Sequence, residues 1–447
     1  MFDNTNLSPW LLAIRSLSVY YNGNSPSNLM KIRLFETVAD SFSMRPADTF
    51  SALKHRNFRL FWSGQLLSLV GTWMQSVAQA WLVFRLTKSP LLLGTVGFAA
   101  SFPVLLLSLP AGVIADRYEK RKILVATQAS FMIVALTIAA LVFSNRVQVW
   151  HVIILALITG IVNAFDAPTR QSFVAEIAGK DDLLNAIALN STSFNAARVV
   201  GPAIAGLLVA VAGEGGCFLI NGLSYIPIIT TLRLVKTPFR GANSGDMNLM
   251  NDLLEGLRYL RKNREFTGIV SIVAAASLLG MPYLMLMPVF AKDVLHKGAS
   301  GFGFLMSSTG LGAFLGALGL ASLRAGKRRG AIFVVGALAF PVLIFIFSFS
   351  ENYLLSALLL FGIGWAMVSQ TVVGNTLIQG TVNHELRGRV MSVYTLVFMG
   401  MMPIGSLQAG WLAEHLGAPS ALAIGGAILF LFSMGVLRSR SGIGRMR

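Results

Sequence analysis

Apolar runs, each about as long as a bilayer crossing, follow one another from residue 59 almost to the end of the chain. Twelve can be marked, at 59–85, 91–115, 122–144, 149–172, 185–212, 216–236, 266–292, 301–323, 330–349, 352–379, 388–415 and 419–438. A helix needs roughly 20 apolar residues to cross the hydrocarbon core. No run shows the sustained alternation of a half-exposed strand, which argues against a membrane β-barrel. Backbone groups in hydrocarbon must be satisfied within their own segment, so the runs predict helices. Tight polar turns separate most of them, as at 87–90, 214–216 and 417–419.

The longest break, 237–265, divides the pattern into six runs within 51–236 and six within 266–438. A basic tail, 439–447, follows. Inside the break, DLLEGLRYLRKN sets Leu253, Leu254, Leu257, Tyr259 and Leu260 against Glu255, Arg258, Arg261 and Lys262. That pattern predicts an amphipathic helix, lying on the membrane surface or serving as a solvated connector. Residues 1–50 precede the pattern, and their first 43 do not share it. The patch Trp10–Ile14 is short, is followed by Arg15, and lacks the basic flank and small-residue cleavage site of a signal peptide. From Met44, MRPADTFSALKHRNFRLFW reads as an amphipathic lead-in to the first run. We expect Met44 to be the natural start and 1–43 to be disordered or a mis-assigned extension. Peptides from residues 1–30 of the native protein would refute this.

Charge sharpens the picture. Charged residues make up 12% of the chain, about half the share of a soluble domain. A net charge of +17 would suggest nucleic acid in a soluble protein, but here the bases cluster at the ends of apolar runs, as topology signals do. One alternate set of loops holds nearly all of them, including Arg117, Lys120, Arg121 and Lys122, then Arg324, Lys327, Arg328 and Arg329, then Arg387 and Arg389. The opposite set holds Arg85, Lys88, Arg146, Lys292 and Lys297. The asymmetry predicts that both termini are cytoplasmic. The single cysteine, Cys217, lies in an apolar run and reads as a buried thiol without a disulfide partner in the chain.

The pattern repeats internally. GVIADRYEKR at 112–121 aligns with GLASLRAGKR at 319–328, matching Gly112, Arg117, Lys120 and Arg121 to Gly319, Arg324, Lys327 and Arg328. Leu323 stands where the first copy has Asp116. At nearly the same offset, Phe194, Gly201 and Gly206 match Phe398, Gly405 and Gly410. Two six-helix halves in parallel orientation follow, with a substrate site expected between them near the midplane.

The first copy resembles the loop between helices two and three of the major facilitator superfamily, G-x-x-x-D-R-x-G-R-R. Gly112, Asp116, Arg117 and Arg121 match it, while Glu119 replaces the second glycine and Lys120 the first of the paired arginines. FDAPTRQSFVAEI (165–177) and NAIALNSTSFNAARVVGP (185–202) resemble the branch that holds the bacterial enterobactin exporter. The resemblance spans about residues 50–438. It implies an all-α fold of twelve transmembrane helices and efflux of a small molecule by alternating access, most simply by proton antiport; a monomer is the expected assembly. It also implies that Asp116 docks on the N-terminus of helix eleven near Gly388 and Arg389 and closes the cytoplasmic side, where a helix dipole favours a carboxylate. Arg198, Gly201, Pro202 and Gly206 resemble the antiporter motif of drug/proton exporters, with Ala205 where that motif has a glycine. Gly312, Gly316 and Gly319 offer a small-residue face to match it.

The residues themselves nominate a pathway. Arg198 is a base well inside a run, where a charge needs a partner or an aqueous cavity. It pairs with Asp166, sits among carbonyls, contacts an anionic substrate or tunes a proton carrier. Asp166, ahead of Pro168 and Arg170, is the candidate titrating carboxylate, and it also reads as a structural partner of Arg170 or Arg198. Gln65, Gln75, Gln79, Trp73 and Trp81 on the first run, and Trp365, Gln370 and Asn375 on the tenth, are candidates to line a channel or to pack. The chain has no G-x-x-x-x-G-K-[ST] phosphate loop, its histidines show no metal-ligand spacing, and no nucleophile–base set appears. An enzyme, a cofactor and a metal are therefore not expected, and the proton gradient is the expected energy source. The reading is a secondary exporter of a small amphiphilic or anionic, siderophore-like molecule. A multidrug or macrolide exporter is the nearest alternative, and a non-transporting membrane sensor or assembly protein is the alternative of another class.

Overall fold

The apolar runs fold as helices in a computed structural model that describes residues 50–179, 181–235, 249–321 and 329–446. The proposed start at Met44 and the extension before it fall outside the described residues. So do Lys180, the stretch 236–248, Leu323 and the bases Arg324, Lys327 and Arg328, and the side chain of Asp116 is likewise not described. From Ala52 onward the chain is one compact unit.

Among the described residues, eleven helical runs are long and apolar enough to cross a bilayer. One of them, Leu183–Leu234, carries a non-helical residue at Gly213 (φ 69°, ψ 178°) that divides it into α5 (183–212) and α6 (214–234). A side chain is strained at that φ, so glycine is the residue that lets the chain reverse without a loop. The first half comprises α1 (Arg56–Thr87), α2 (Pro90–Arg117), α3 (Lys120–Phe143), α4 (Val149–Ala178), α5 and α6. The second comprises α7 (Arg264–Val294), α8 (Ala299–Ala321), α9 (Arg329–Ser348), α10 (Tyr353–Thr381), α11 (His384–Leu416) and α12 (Ala418–Ser439). Boundaries differ from the sequence expectation by a few residues, most at α4, which continues through Pro168 to Ala178.

Two elements depart from simple spans. Helix α7 widens into π turns at Ala276–Gly280 and Phe290–Val294, on either side of Pro282 and Pro288. Proline removes the N–H that would continue the ordinary ladder, and wide turns absorb the mismatch. The connecting helix Leu249–Lys262 does more than rest on a surface. Leu260 is buried, Gly256 packs against the Arg389 carbonyl, and Glu255 pairs with Arg389 Nη1 at 2.5 Å. It is therefore docked on the start of α11.

Call the end of the bundle that carries Arg117, Lys122 and Arg389 the basic end. The apolar core is distributed unevenly between it and the far end. At the far end one continuous cluster joins both halves, with Phe84, Leu93 and Phe218 from the first and Phe290, Phe302 and Phe347 from the second. At the basic end there are two clusters, one around Phe58, Phe61 and Phe173 in the first half and one around Phe266, Phe333 and Leu377 in the second. The halves share a core at one end and keep separate cores at the other.

Candidate substrate cavity and gates

Between α1 and its neighbours lies a cavity of about 610 Å³, within the range of small-molecule sites. Its polar lining is dominated by carboxamides, Gln65, Gln75, Gln79, Gln128, Asn163 and Asn221 among them. Trp73, Phe131, Phe194 and Tyr225 supply aromatic faces. All lining residues belong to the first half except Met285 on α7. Leu93 and Val96 close the cavity toward the far end, while Arg170, Gln171 and Asn190 stand toward the basic end. Gln75 and Gln79 share a face because they are one helical turn apart.

The walls are tied by hydrogen bonds that cross helices. Asp166, 1% exposed, accepts from Thr127 Oγ1 at 2.8 Å and Gln128 Nε2 at 2.7 Å, and pairs with Arg170. Asn221 donates to Gln75 Oε1 at 2.6 Å, and the Tyr225 hydroxyl lies 3.2 Å from Thr72 Oγ1. A buried carboxylate with three partners is satisfied rather than stranded. The sequence named Asp166, Arg170 and the three glutamines. It did not name Thr127, Gln128, Asn221 or Tyr225, whose one signal is a polar residue in mid-span. Arg198 is not paired with Asp166; its Nη2 meets the Met367 sulfur at 3.8 Å and its guanidinium lies 5.7 Å from the Trp73 ring centre.

The remaining candidates lie elsewhere. Trp365, Gln370 and Asn375 are not among the residues lining this cavity. Trp365 packs against Gly316 on α8, Gln370 is buried against Gly336 on α9, and Asn375 accepts from Gln379 at 2.5 Å. A polar residue in a span does not reveal which way its helix is turned.

Two seams join the halves toward the far end, and both depend on bare backbone. On α5, the Pro202 carbonyl meets Gly303 of α8 and Gly206 faces Ala299 and Ser300, while Gly201 packs on Trp73 of α1 within the first half. Ser307 donates to the Val199 carbonyl at 2.9 Å. On α2, a side chain at Gly94 would stand 2.5 Å from the Ser406 carbonyl of α11. Where α2 begins, Glu414 of α11 accepts from Ser89 Oγ at 2.8 Å and from the Leu91 N–H at 3.1 Å. This carboxylate occupies the positive end of the α2 dipole. Removing it with Glu414→Ala should weaken the far-end closure by about 0.5–1 kcal/mol. Spin labels at Lys88 and His415 should then report a larger population of long distances; an unchanged distribution would leave Glu414 without a latch role.

The basic end is open by comparison. No described atom lies within 4 Å of where a side chain would begin at Gly112 on α2 or Gly388 on α11. Arg117 is exposed. Arg121 binds Glu119 at 2.9 Å and donates to the Val235 carbonyl at 3.3 Å. Glu119 also holds Lys122 at 3.0 Å. The Lys122 hydrogen bond, opposed by partial burial and helped by Arg121, keeps the Glu119 carboxyl below the usual carboxylate range. A depressed folded pKa contributes stability above the unfolded value, about 4.3, and loses it as pH falls through the folded value. The melting-temperature difference between wild type and Glu119→Gln should thus hold at neutral pH and shrink below about pH 4. A difference independent of pH would exclude the charge.

Twelve crossings, two halves in contact along paired seams and a ligand-sized cavity define a membrane transporter for small molecules. The comparisons with known proteins agree. A family model described as a transmembrane secretion effector matches residues 47–443. The chain is 26% identical over 386 residues to the staphyloferrin A transporter of Staphylococcus aureus, covering 84% of this chain and 94% of that one. It is 22% identical over 394 residues to macrolide efflux protein A of Streptococcus pyogenes (85% and 96% covered), and 23% identical over 382 residues to the enterobactin exporter EntS of Shigella flexneri (84% and 90%). Among solved structures it superposes on a bacterial homologue of the lysosomal transporter Spinster with TM-score 0.65, at 14% identity, covering 90% of this chain and 98% of that one. The chain belongs to the transmembrane secretion effector family of the major facilitator superfamily. It is an efflux transporter of the bacterial inner (plasma) membrane and not an enzyme.

Proposed function

We propose that this protein exports a small amphiphilic or anionic, siderophore-like molecule from the cytoplasm by alternating access, driven by proton antiport. One observation carries the reading: the halves share a core at the far end and keep separate cores at the basic end, toward which Arg170, Gln171 and Asn190 of the cavity stand. Positive residues favour the cytoplasmic side, so the basic end, with both chain termini, is assigned there and the cavity loads from the cell interior. Relatives that carry siderophores support the substrate class. Asp166, a carboxylate in the cavity wall on α4 that is hydrogen-bonded to two side chains of α3 and paired with Arg170, is the assigned proton carrier. Asp116 on α2 is retained as the gate that meets Gly388 and Arg389 when the basic end closes. The transporter works as a monomer, since both halves of the pathway belong to one chain.

Comparison of metabolites outside a deletion strain and its parent under iron limitation tests the substrate. An anionic chelator should disappear from the medium and accumulate inside the cells. Unchanged chelators would move the reading to drug export, which the macrolide-exporting relative and the aromatic lining favour.

A further inference from the structure

Arg198 occupies mid-span in α5, yet no carboxylate pairs with it among the described residues. A guanidinium at that depth is kept where it meets an opposite charge or a polar cavity. Its surroundings come from both halves. The Trp73 ring lies beneath it from α1, and the Met367 sulfur faces it from α10. The fully buried Tyr283 of α7 lies within its electrostatic reach. The Tyr283 hydroxyl makes no hydrogen bond of sound geometry, with Thr309 of α8 as its other polar neighbour. One cationic and one neutral donor thus lie in this seam, and among the described residues the guanidinium meets only a thioether sulfur and neither donor meets a carboxylate. Neither is placed there by accident of a smooth helix. Arg198 is pinned because its own carbonyl abuts Gly310. Tyr283 is set by the π turn of α7 that ends just before it.

We infer that Arg198 and Tyr283 form a carboxylate-binding subsite between the two halves, with Trp73 stacking the adjoining flat part of the ligand. A planar guanidinium matches a carboxylate by two parallel hydrogen bonds, and a phenol O–H supplies a third. Trp73 also lines the carboxamide cavity, so a molecule held there can place an acidic group on Arg198 while its neutral body meets Gln75 and Gln79. Because the donors sit on α5 and α7, the anion bridges the halves, and its arrival is felt by both. The inference rests on the export reading and narrows it: the cargo carries a carboxylate beside an aromatic or amide-rich body.

The test uses the purified full chain in lipid nanodiscs, with 2-naphthoate and 2-naphthamide as probes. These share ring and size and differ in charge. Titration calorimetry should show wild type binding the naphthoate at least about tenfold more tightly, as a charge-assisted pair requires. Arg198→Gln should remove that preference while naphthamide still binds, and a melting temperature near that of wild type shows that the variant is folded. Arg198→Lys should keep part of the preference, and Tyr283→Phe should reduce it by roughly threefold, the loss of one hydrogen bond. Equal binding of the two probes by wild type, failure of both to bind, or a preference that survives Arg198→Gln would overturn the subsite. The metabolite comparison in the deletion strain judges the export reading separately, so the two can fail independently.

Discussion

Gly303→Leu should abolish efflux while leaving the protein inserted in the membrane. At this position on α8 the nearest neighbours are the Pro202 carbonyl and the Gly206 backbone of α5, which cannot rotate away as a side chain would. Forcing methylenes into a packed seam costs about 1–3 kcal/mol, and more where backbone must move. That cost falls on the arrangement in which the far end is closed. Since each 1.4 kcal/mol is about tenfold in population, the inward-open form should become a minor species. Efflux of substrate from cells, read beside membrane-fraction blots, checks both halves of the expectation. Wild-type efflux with wild-type abundance would show that the seam does not bear on closure.

Arg170→Leu is expected to have the second large effect. It leaves Asp166 buried with Thr127 and Gln128 but without its counter-charge. Breaking a buried pair from one side typically destabilises by about 3–5 kcal/mol, because the remaining charge is uncompensated. The variant should melt well below wild type in detergent and transport poorly. Asp166→Asn combined with Arg170→Gln removes both charges and keeps the hydrogen-bonding shapes, so thermal stability should largely return. Efflux should not, because the proposed proton carrier is gone. A double variant that transports normally would clear Asp166 of the coupling role, whereas one that stays unstable would point to packing rather than charge.

Much of the fold was legible because a bilayer imposes length. Apolar runs, tight turns and basic loops are local signals, and the helices lie within a few residues of where those signals place them. Gly213 separates α5 from α6 one residue before the polar turn read at 214–216, whose residues begin α6. The π turns of α7 were not legible, since Pro282 and Pro288 announce a bend without saying how the backbone absorbs it. The site divides along the same line. Asp166 and Arg170 are neighbours on one helix face at i and i+4, so their pairing is written in the spacing. The contacts of Thr127 and Gln128 with Asp166 depend on how α3 and α4 are rotated against each other. Glu414 reaches Ser89 and Leu91 from 325 and 323 residues away in sequence, a contact that follows from the symmetry of two halves and from no local motif. Trp365, Gln370 and Asn375 looked equivalent to the polar residues of α1 in composition, but Trp365 packs on α8, Gln370 is buried where its backbone passes Gly336 of α9, and Asn375 bonds to the next turn of α10.

The central claim is that the cavity of the first half faces the cytoplasm while the far end is shut. Ser76 is exposed and lines that cavity, and Cys217, the single cysteine, is buried. A Ser76→Cys variant in a Cys217→Ser background therefore offers one reporter thiol. A membrane-impermeant maleimide should label it in inside-out vesicles at least about tenfold faster than in intact cells, as a predominantly inward-open ensemble requires. Faster labelling from outside the cell would contradict the account.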